Sequence, residues 1–274
     1  MLTFNTENMV RQKFDFPAPI MDYIFKNVQP QHLIKLYQTC KFFYHKYRRN
    51  IILNLEIVAD REAEVWDPIK SVIRHSNPSL DKLNDFWITD SLVCRVIRTS
   101  GVIPLFSDYT VKKLDFSSFL LFKEFEILTY AGTIEELKIG SVYYGSGRFA
   151  SVEDIIAQVP GATSIDISDI ILTPTTCASL ASLNHKAKIS NVFLRNVSAF
   201  QHFNIKHFLS FLLTNAAVVC NVRLEFKLLY GDGDLIHAIN ELIKTAEAYF
   251  NDVISGGLKL SDLEKSKLLS SLKC

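Results

Sequence analysis

One short pattern recurs along most of this chain: an apolar residue, one variable residue, a second apolar residue, and then often a Ser, Thr, Asp or Gly. Its copies read LNL at 53–55, FWITD at 86–90, LDFSS at 114–118, LKIGS at 137–141, IDISD at 165–169, VFLRN at 192–196 and LEFKL at 224–228. The leading residues Leu53, Phe86, Leu114, Leu137, Ile165, Val192 and Leu224 are separated by 33, 28, 23, 28, 27 and 32 residues. Alternation of apolar and variable residues is the signature of a strand with one buried face. Segments of helical character lie between the copies: TDSLVCRVIRTSG at 89–101, SVEDIIAQV at 151–159, TPTTCASLASL at 173–183 and NIKHFLSFLLTN at 204–215. Pro104 and Pro160 fall between helical segments and the next strand, where helices stop.

A strand and a helix repeated at such a period predict a stacked solenoid, because one unit cannot bury its own apolar face. The competing architecture is an ordinary α/β domain with a parallel sheet. The strands read as very short, unlike the continuous Val/Ile runs of a doubly buried sheet, which favours the solenoid. Parallel strands would line its concave face and helices its convex face. Asn follows the motif only at Asn196, so a regular asparagine ladder is not expected. The longest apolar run, FLSFLLTNAAVVCNV at 208–222, is short for a membrane span and holds Asn215 near its middle. It reads as a buried helix running into a strand.

Before residue 51 the pattern is different. Ile20, Ile24, Phe25 and Val28, then Leu33, Leu36, Cys40 and Phe43, recur at helical spacing, with Pro17 and Pro30 placed to begin helices. Two or three short helices separated by NVQPQ are predicted. The stretch FDFPAPIMDYIF at 14–25 is mostly apolar and has little preceding sequence to cover it.

Residues 16–44, FPAPIMDYIFKNVQPQHLIKLYQTCKFFY, resemble an F-box. Phe16-Pro17 stands at the opening dipeptide of that motif, Ile20-Met21 and Ile24-Phe25 at its apolar pairs, and Pro30 at its helix-starting proline. His32-Leu33 matches the polar-Leu pair, and Leu36, Thr39, Cys40, Lys41 and Phe43 match the closing stretch. Phe replaces the usual leading Leu, and Phe43 stands where Trp is usual; both keep a bulky apolar group. The whole chain is similar to nematode-type F-box proteins with leucine-rich-repeat-like C-terminal regions. The resemblance implies an α/β chain organised as a tail (1–13), an all-helical F-box-like module (14–50), an irregular leucine-rich-repeat-like solenoid (51–260) and a C-terminal helix or cap (261–274). It also implies docking on a Skp-type adaptor, and through it on a cullin, as the substrate-recognition subunit of an SCF ubiquitin ligase. Phe16, Pro17, Ile20, Met21, Ile24, Phe25, Pro30, Leu33, Leu36, Cys40 and Phe43 would then be the adaptor-binding set. The alternative is a repeat-type interaction module without ligase linkage, its N-terminal helices serving only as a cap.

Nothing in the sequence assembles into an active site, and no cofactor or metal is implied. YYGSGRF at 143–149 lacks the Lys-Ser/Thr of a phosphate loop and reads as a surface loop. YGDGDLI at 230–236 lacks later oxygen ligands for calcium, and Asp234 suits a helix N-cap instead. His202 and His207 are five apart, the wrong spacing for two ligands on one helix turn. KFFYHKYRRN at 41–50 mixes basic and aromatic residues, yet it ends the helical module, and the chain carries a net charge of only +1. It reads as a solvated helix end with basic stems laid along aromatic surface; neither a nucleic-acid nor a membrane partner is expected. The five widely spaced cysteines fit small buried side chains in a reducing cytoplasm or nucleus. Arg11, Lys13 and Asp15 interrupt any leader-like apolar stretch, and with Cys274 last no prenylation box is expected. The unknown target would bind the strand-lined face through the residues between the apolar pairs, Trp87, Asp115, Lys138, Asp166, Phe193 and Glu225, which should point away from the core.

Overall fold

Where the sequence alternates, the chain does form strands, and within each unit successive motif strands are hydrogen-bonded neighbours. The structure is a computed structural model that describes residues 16–96, 108–116 and 119–227. The expected tail at 1–13, the end of the 89–101 segment, Pro104, the 230–236 loop with Asp234, the 261–274 cap and Cys274 lie outside these residues. The chain divides into two units, Met1–Lys113 and Leu114–Cys274. Both are built of helices and mostly parallel strands, and among the described residues neither set of strands closes into a barrel.

The first unit begins with α1 (Ala18–Asn27), α2 (Pro30–Thr39) and α3 (Lys41–Tyr47). Prolines open the first two helices, where a missing N–H costs nothing. Then come β1 (Asn50–Val58), β2 (Lys70–Arg74), a 3-10 helix (Pro78–Asp85), β3 (Phe86–Cys94) and β4 (Asp108–Tyr109). Strand β1 lies between β2 and β3 and is parallel to both. Its near-continuous apolar run, Ile51, Ile52, Leu53, Leu55, Ile57 and Val58, is buried, as expected of a strand covered on both faces.

Three expectations need correction. The segment at 89–101 was expected to be helical, but its first half completes β3. Leu92 and Cys94 are buried with half-buried Val93 between them, a period of two that outweighs the helical reading. The strands are also longer than expected: β1, β3 and β10 (Ile189–Val197) have nine residues each, and β11 (Ala216–Phe226) has eleven. Finally, the first and last motif copies are out of register. Phe86 pairs with Asn50 rather than Leu53. Val192 pairs with Val222, so Val222 rather than Leu224 leads the last copy.

The second unit runs β5 (Lys113–Phe116), β6 (Leu120–Leu121), α4 (Phe122–Thr129), β7 (Glu136–Ile139), β8 (Val142–Tyr143), α5 (Val152–Ala157), β9 (Ser164–Ser168), α6 (Thr176–Ser182), β10, a 3-10 turn (Phe200–His202), α7 (Ile205–Asn215) and β11. Its main strands are ordered β5-β7-β9-β10-β11, each beside its chain neighbour. Register places Leu137, Ile165, Val192 and Val222 in one buried row. A second, weaker ladder follows: β6 pairs with β8 through Leu120↔Val142, and Ile171 bridges Ser198. Near the ends of three strands, Ser141 Oγ, after β7, donates to Asp169 Oδ2, after β9 (3.1 Å), and Asn196 Nδ2, near the end of β10, donates to Asp169 Oδ1 (3.2 Å). Asp169 and Asn196 both sit at positive φ, 57° and 51°, which short polar side chains tolerate. A mixed Ser–Asp–Asn row thus runs along these strand ends.

Side-chain caps open two of the helices: Ser151 Oγ accepts from Asp154 N–H ahead of α5, and Asn204 Oδ1 from His207 N–H ahead of α7. The long apolar run is a helix meeting a strand. Asn215 ends α7 and is 1% exposed. Its Oδ1 accepts from His185 N–H (2.9 Å), and its Nδ2 lies 3.1 Å from Leu183 O and 3.0 Å from Phe211 O. This one amide therefore joins the loop after α6 to the end of α7.

Replacing Asn215 with Leu keeps the bulk but strands the His185 N–H and two carbonyls. It should cost about 1–3 kcal/mol of stability in urea unfolding. Ile165→Asp places a carboxylate in the apolar row and should prevent cooperative unfolding of the second unit, whereas Ser146→Asp, on the exposed turn after β8, should leave the transition within about 0.5 kcal/mol of wild type. Equal effects of these two would remove the row from its structural role.

Candidate functional site

Helix α1 separates the expected adaptor-binding residues into two faces. Met21 and Phe25 turn inward and pack with Leu33, Ile34 and Tyr37 of α2 and Ile51 and Leu53 of β1. Leu33 is 1% exposed. The Phe25 ring stacks on Tyr47 at 4.1 Å, and the Tyr37 hydroxyl donates to Tyr47 O at 2.7 Å. Val28, Leu36 and Phe43 pack on the edge of this cluster, and Ile24, Pro30 and Cys40 are half-buried. Outward stand Phe16 and Ile20, 58% and 46% exposed, with exposed Pro17. Met21, Phe25 and Leu33 are thus core residues of the chain itself and have no surface to offer; the exposed face is Phe16, Pro17 and Ile20. Tyr23, 68% exposed, extends it. The sequence pattern passed over Tyr23, although it follows Ile20 by three residues on the same helix face.

The expected target-binding column behaves differently in the two units. Trp87, in the first unit, is half-buried against the helical cluster, donates Nε1–H to Thr110 Oγ1 at 2.8 Å and carries Arg49 over its ring at 5.1 Å. It serves as packing, not as a free anchor. In the second unit, register aligns Lys138, Asp166 and Phe193, and the next residue in that row is Arg223, not Glu225. Glu225 lies two positions on and pairs with Arg223 at 2.6 Å. Asp115 and Asp166 were expected to point into solvent, yet they are 8% and 9% exposed. Strands lie about 4.8 Å apart, so long cations on the neighbours reach over them. Lys138 Nζ is 3.5 Å from Asp115, and Arg195 is 2.8 Å from Asp166. Phe193 is half-buried under the Arg195 guanidinium at 5.9 Å. Arg195 and Arg223 were missed because pairing across strands, not adjacency in sequence, brings them to this row.

Burial holds the Asp166 carboxyl above the usual aspartate range, against the opposing pull of Arg195 and Lys138. Near the 143–149 turn, Tyr144 Oη donates to Asp154 Oδ2 at 2.6 Å, and burial together with that carboxylate pushes its hydroxyl up to about 12. This turn is a surface loop with Gly147 at φ 78°, and Tyr143 packs on Phe149. The α3 end also follows its sequence reading: Lys46 lies over Phe42 and Tyr47, and Arg48 over Tyr44. Among the described residues, no group of three or more His, Cys, Asp or Glu side chains could hold a metal ion. No helix among them is long and apolar enough to cross a membrane. Cys94 and Cys177 are buried, and Cys40 and Cys220 half-buried, all as free thiols.

No protein-family model matches this chain, and no curated protein or solved structure matches it. The geometry of two surfaces therefore carries the functional argument: an exposed apolar face on α1 and a self-paired charged row on the strands of the second unit.

The folded protein holds the Asp166 proton to a higher pH than the unfolded chain does. Its stabilising effect is therefore present below the unfolded value near 3.8 and is lost as pH rises through the folded value. The stability difference between wild type and Asp166→Asn, from urea melts in the acid range, should shrink with rising pH and then level off. A difference that grows with pH would mean that Arg195 and Lys138 outweigh burial.

Proposed function

We propose that this chain is a non-catalytic protein-binding subunit that docks through α1 on a Skp-type adaptor and presents a target protein to a cullin-based SCF ubiquitin ligase. The observation that carries the reading is the division of α1. One face, Met21 and Phe25, is buried on the chain's own α2 and β1, and the other, Ile20 and Tyr23, is left to solvent together with Phe16 just ahead of the helix. Recognition of a helix in an apolar groove uses such anchors. The F-box-like match at 16–44 supplies the kind of partner, and it coincides with the three described helices.

The sequential strand order of the second unit, its buried apolar row and its Ser141–Asp169–Asn196 row support an irregular leucine-rich-repeat-like solenoid. An ordinary doubly wound sheet reverses its strand order at the point where ligands bind. In this reading the strand face around Phe193 meets the target, and the chain acts by raising the local concentration of target lysines near the charged conjugating enzyme. No residue of the chain makes or breaks a bond, and the place of work is the cytoplasm or nucleus.

The packing of Met21, Phe25 and Leu33 on Ile51 and Leu53 favours a second reading, in which the helices cap the sheet and the chain is an interaction module without ligase linkage. Surface variants separate the two. Ile20→Asp combined with Tyr23→Asp puts charge on the exposed face and should lower co-purification of adaptor and cullin by roughly thirtyfold or more, with the thermal unfolding temperature unchanged. Leu33→Asp should instead unfold the helical module, so it reports on folding alone. Adaptor retained by the double variant would leave the cap reading.

A further inference from the structure

From Tyr23 to Leu55 the sequence contains no Asp or Glu, yet it holds Lys26, Lys35, Lys41, Lys46, Arg48 and Arg49. In a chain with net charge +1, this is a local excess of positive charge confined to the helical module and the start of β1. Arg48 lies over Tyr44 and donates Nε–H to Asn50 Oδ1 at 3.3 Å. Arg49 lies over Trp87. Both residues are exposed, and among the described residues neither forms an ion pair with a carboxylate. The contrast with the second unit is direct, because there Lys138, Arg195 and Arg223 each have an acidic partner.

Arg49 lines a cleft, and Arg48 lies over Tyr44, another of its wall residues. Its walls include Ile34 and Tyr37 of α2, Tyr44 of α3, Ile52 of β1, and Trp66 and Pro68 of the segment before β2, with Arg49 and Asp67 among the polar residues. Its volume is about 40 Å³. By that measure one water needs about 10–15 Å³, so the cleft admits the end of one apolar side chain. Around it the surface is unusually apolar: Val65, Trp66 and Ile69 are 49%, 42% and 57% exposed within five residues of chain. The one acidic wall residue, Asp67, is engaged locally, its Oδ1 accepting from Ile69 N–H at 2.7 Å. No residue of α1 lines the cleft.

We infer that this cleft docks an acidic peptide segment of a partner protein, with one apolar side chain held between Tyr44 and Trp66 and flanking carboxylates meeting Arg48 and Arg49. Charge complementarity selects this occupant. Unpaired guanidiniums beside an apolar slot favour carboxylates, which they bind through parallel N–H donors. Stacking on Tyr44 and Trp87 fixes the guanidiniums in place before any ligand arrives, which lowers the entropy cost of binding. Nucleic acid fits less well, because the aromatic faces of α3 that would stack bases already carry Lys46 and Arg48. The inference does not depend on adaptor docking, since it uses neither α1 nor the second unit.

The test uses the full chain and fluorescein-labelled synthetic peptides in which one leucine, isoleucine, phenylalanine or tryptophan is flanked by glutamates. Fluorescence anisotropy should show saturable binding of at least one of them, weakening with added salt. Arg48→Glu with Arg49→Glu should weaken it roughly tenfold or more, and Trp66→Ala by a comparable factor. Ile20→Asp with Tyr23→Asp should leave it unchanged, so loss of adaptor binding and loss of peptide binding are read separately. Variants are compared only where circular dichroism melts match wild type; if Trp66→Ala fails this check, the arginine pair decides. The inference is overturned if no peptide binds, if lysine-flanked peptides bind equally well, or if a single-stranded oligothymidylate binds more tightly. It is also overturned if the arginine variants alter only self-association in sedimentation.

Discussion

The second unit depends on the parallel register of Leu137, Ile165, Val192 and Val222. A single strand with one apolar position in two cannot shield both of its faces. Its neighbours must supply the rest, and parallel neighbours can do so only if the chain travels through a crossover between them. The crossovers are α4, α5, α6 and α7 with their loops. Much of the other order follows from this: the row of Ser141, Asp169 and Asn196 forms because the register brings those strand ends side by side, and Asn215 is needed because a helix ends where the next strand begins.

In the first unit the same constraint falls on a helix. The apolar residues in and beside α1 occupy more than one stripe, and Met21 and Phe25 are buried against α2, α3 and β1. Three short helices have too little inward surface to bury every apolar group, so Phe16, Ile20 and Tyr23 remain outside. An exposed apolar face with a well-packed core behind it is rigid, and rigidity lowers the entropic cost of docking a partner.

The strand face of the second unit and the helical module of the first handle charge differently. On the strand face of the second unit, cations on one strand cover carboxylates on the next, which lets Asp115 and Asp166 be nearly buried. Such pairs hold register more than they add stability, because desolvation offsets much of the attraction. Residues 23–55, which hold most of the helical module, contain no carboxylate. Part of its positive charge lies over aromatic rings, as at Tyr44, Tyr47 and Trp87.

Local periodicity by itself determined a good part of this protein. It gave short N-terminal helices with prolines opening the first two, strands at the interior motif copies, helical segments where α5 and α7 lie, and a helix meeting a strand within 208–222. Each of these is set by groups a few residues apart, so sequence spacing reports it directly. What periodicity could not decide was pairing. Helical spacing alone cannot say which side of α1 finds a neighbour, so Phe25 and Ile20 looked alike although one is core and the other surface. Likewise, Glu225 looked like the continuation of the column until the β10–β11 register put Arg223 there, and TDSLVC looked helical until β1 offered it a strand partner. A one-residue shift in register reverses every side chain of a strand, and register is fixed by contacts between residues about thirty apart. Only the tertiary structure brings those residues together.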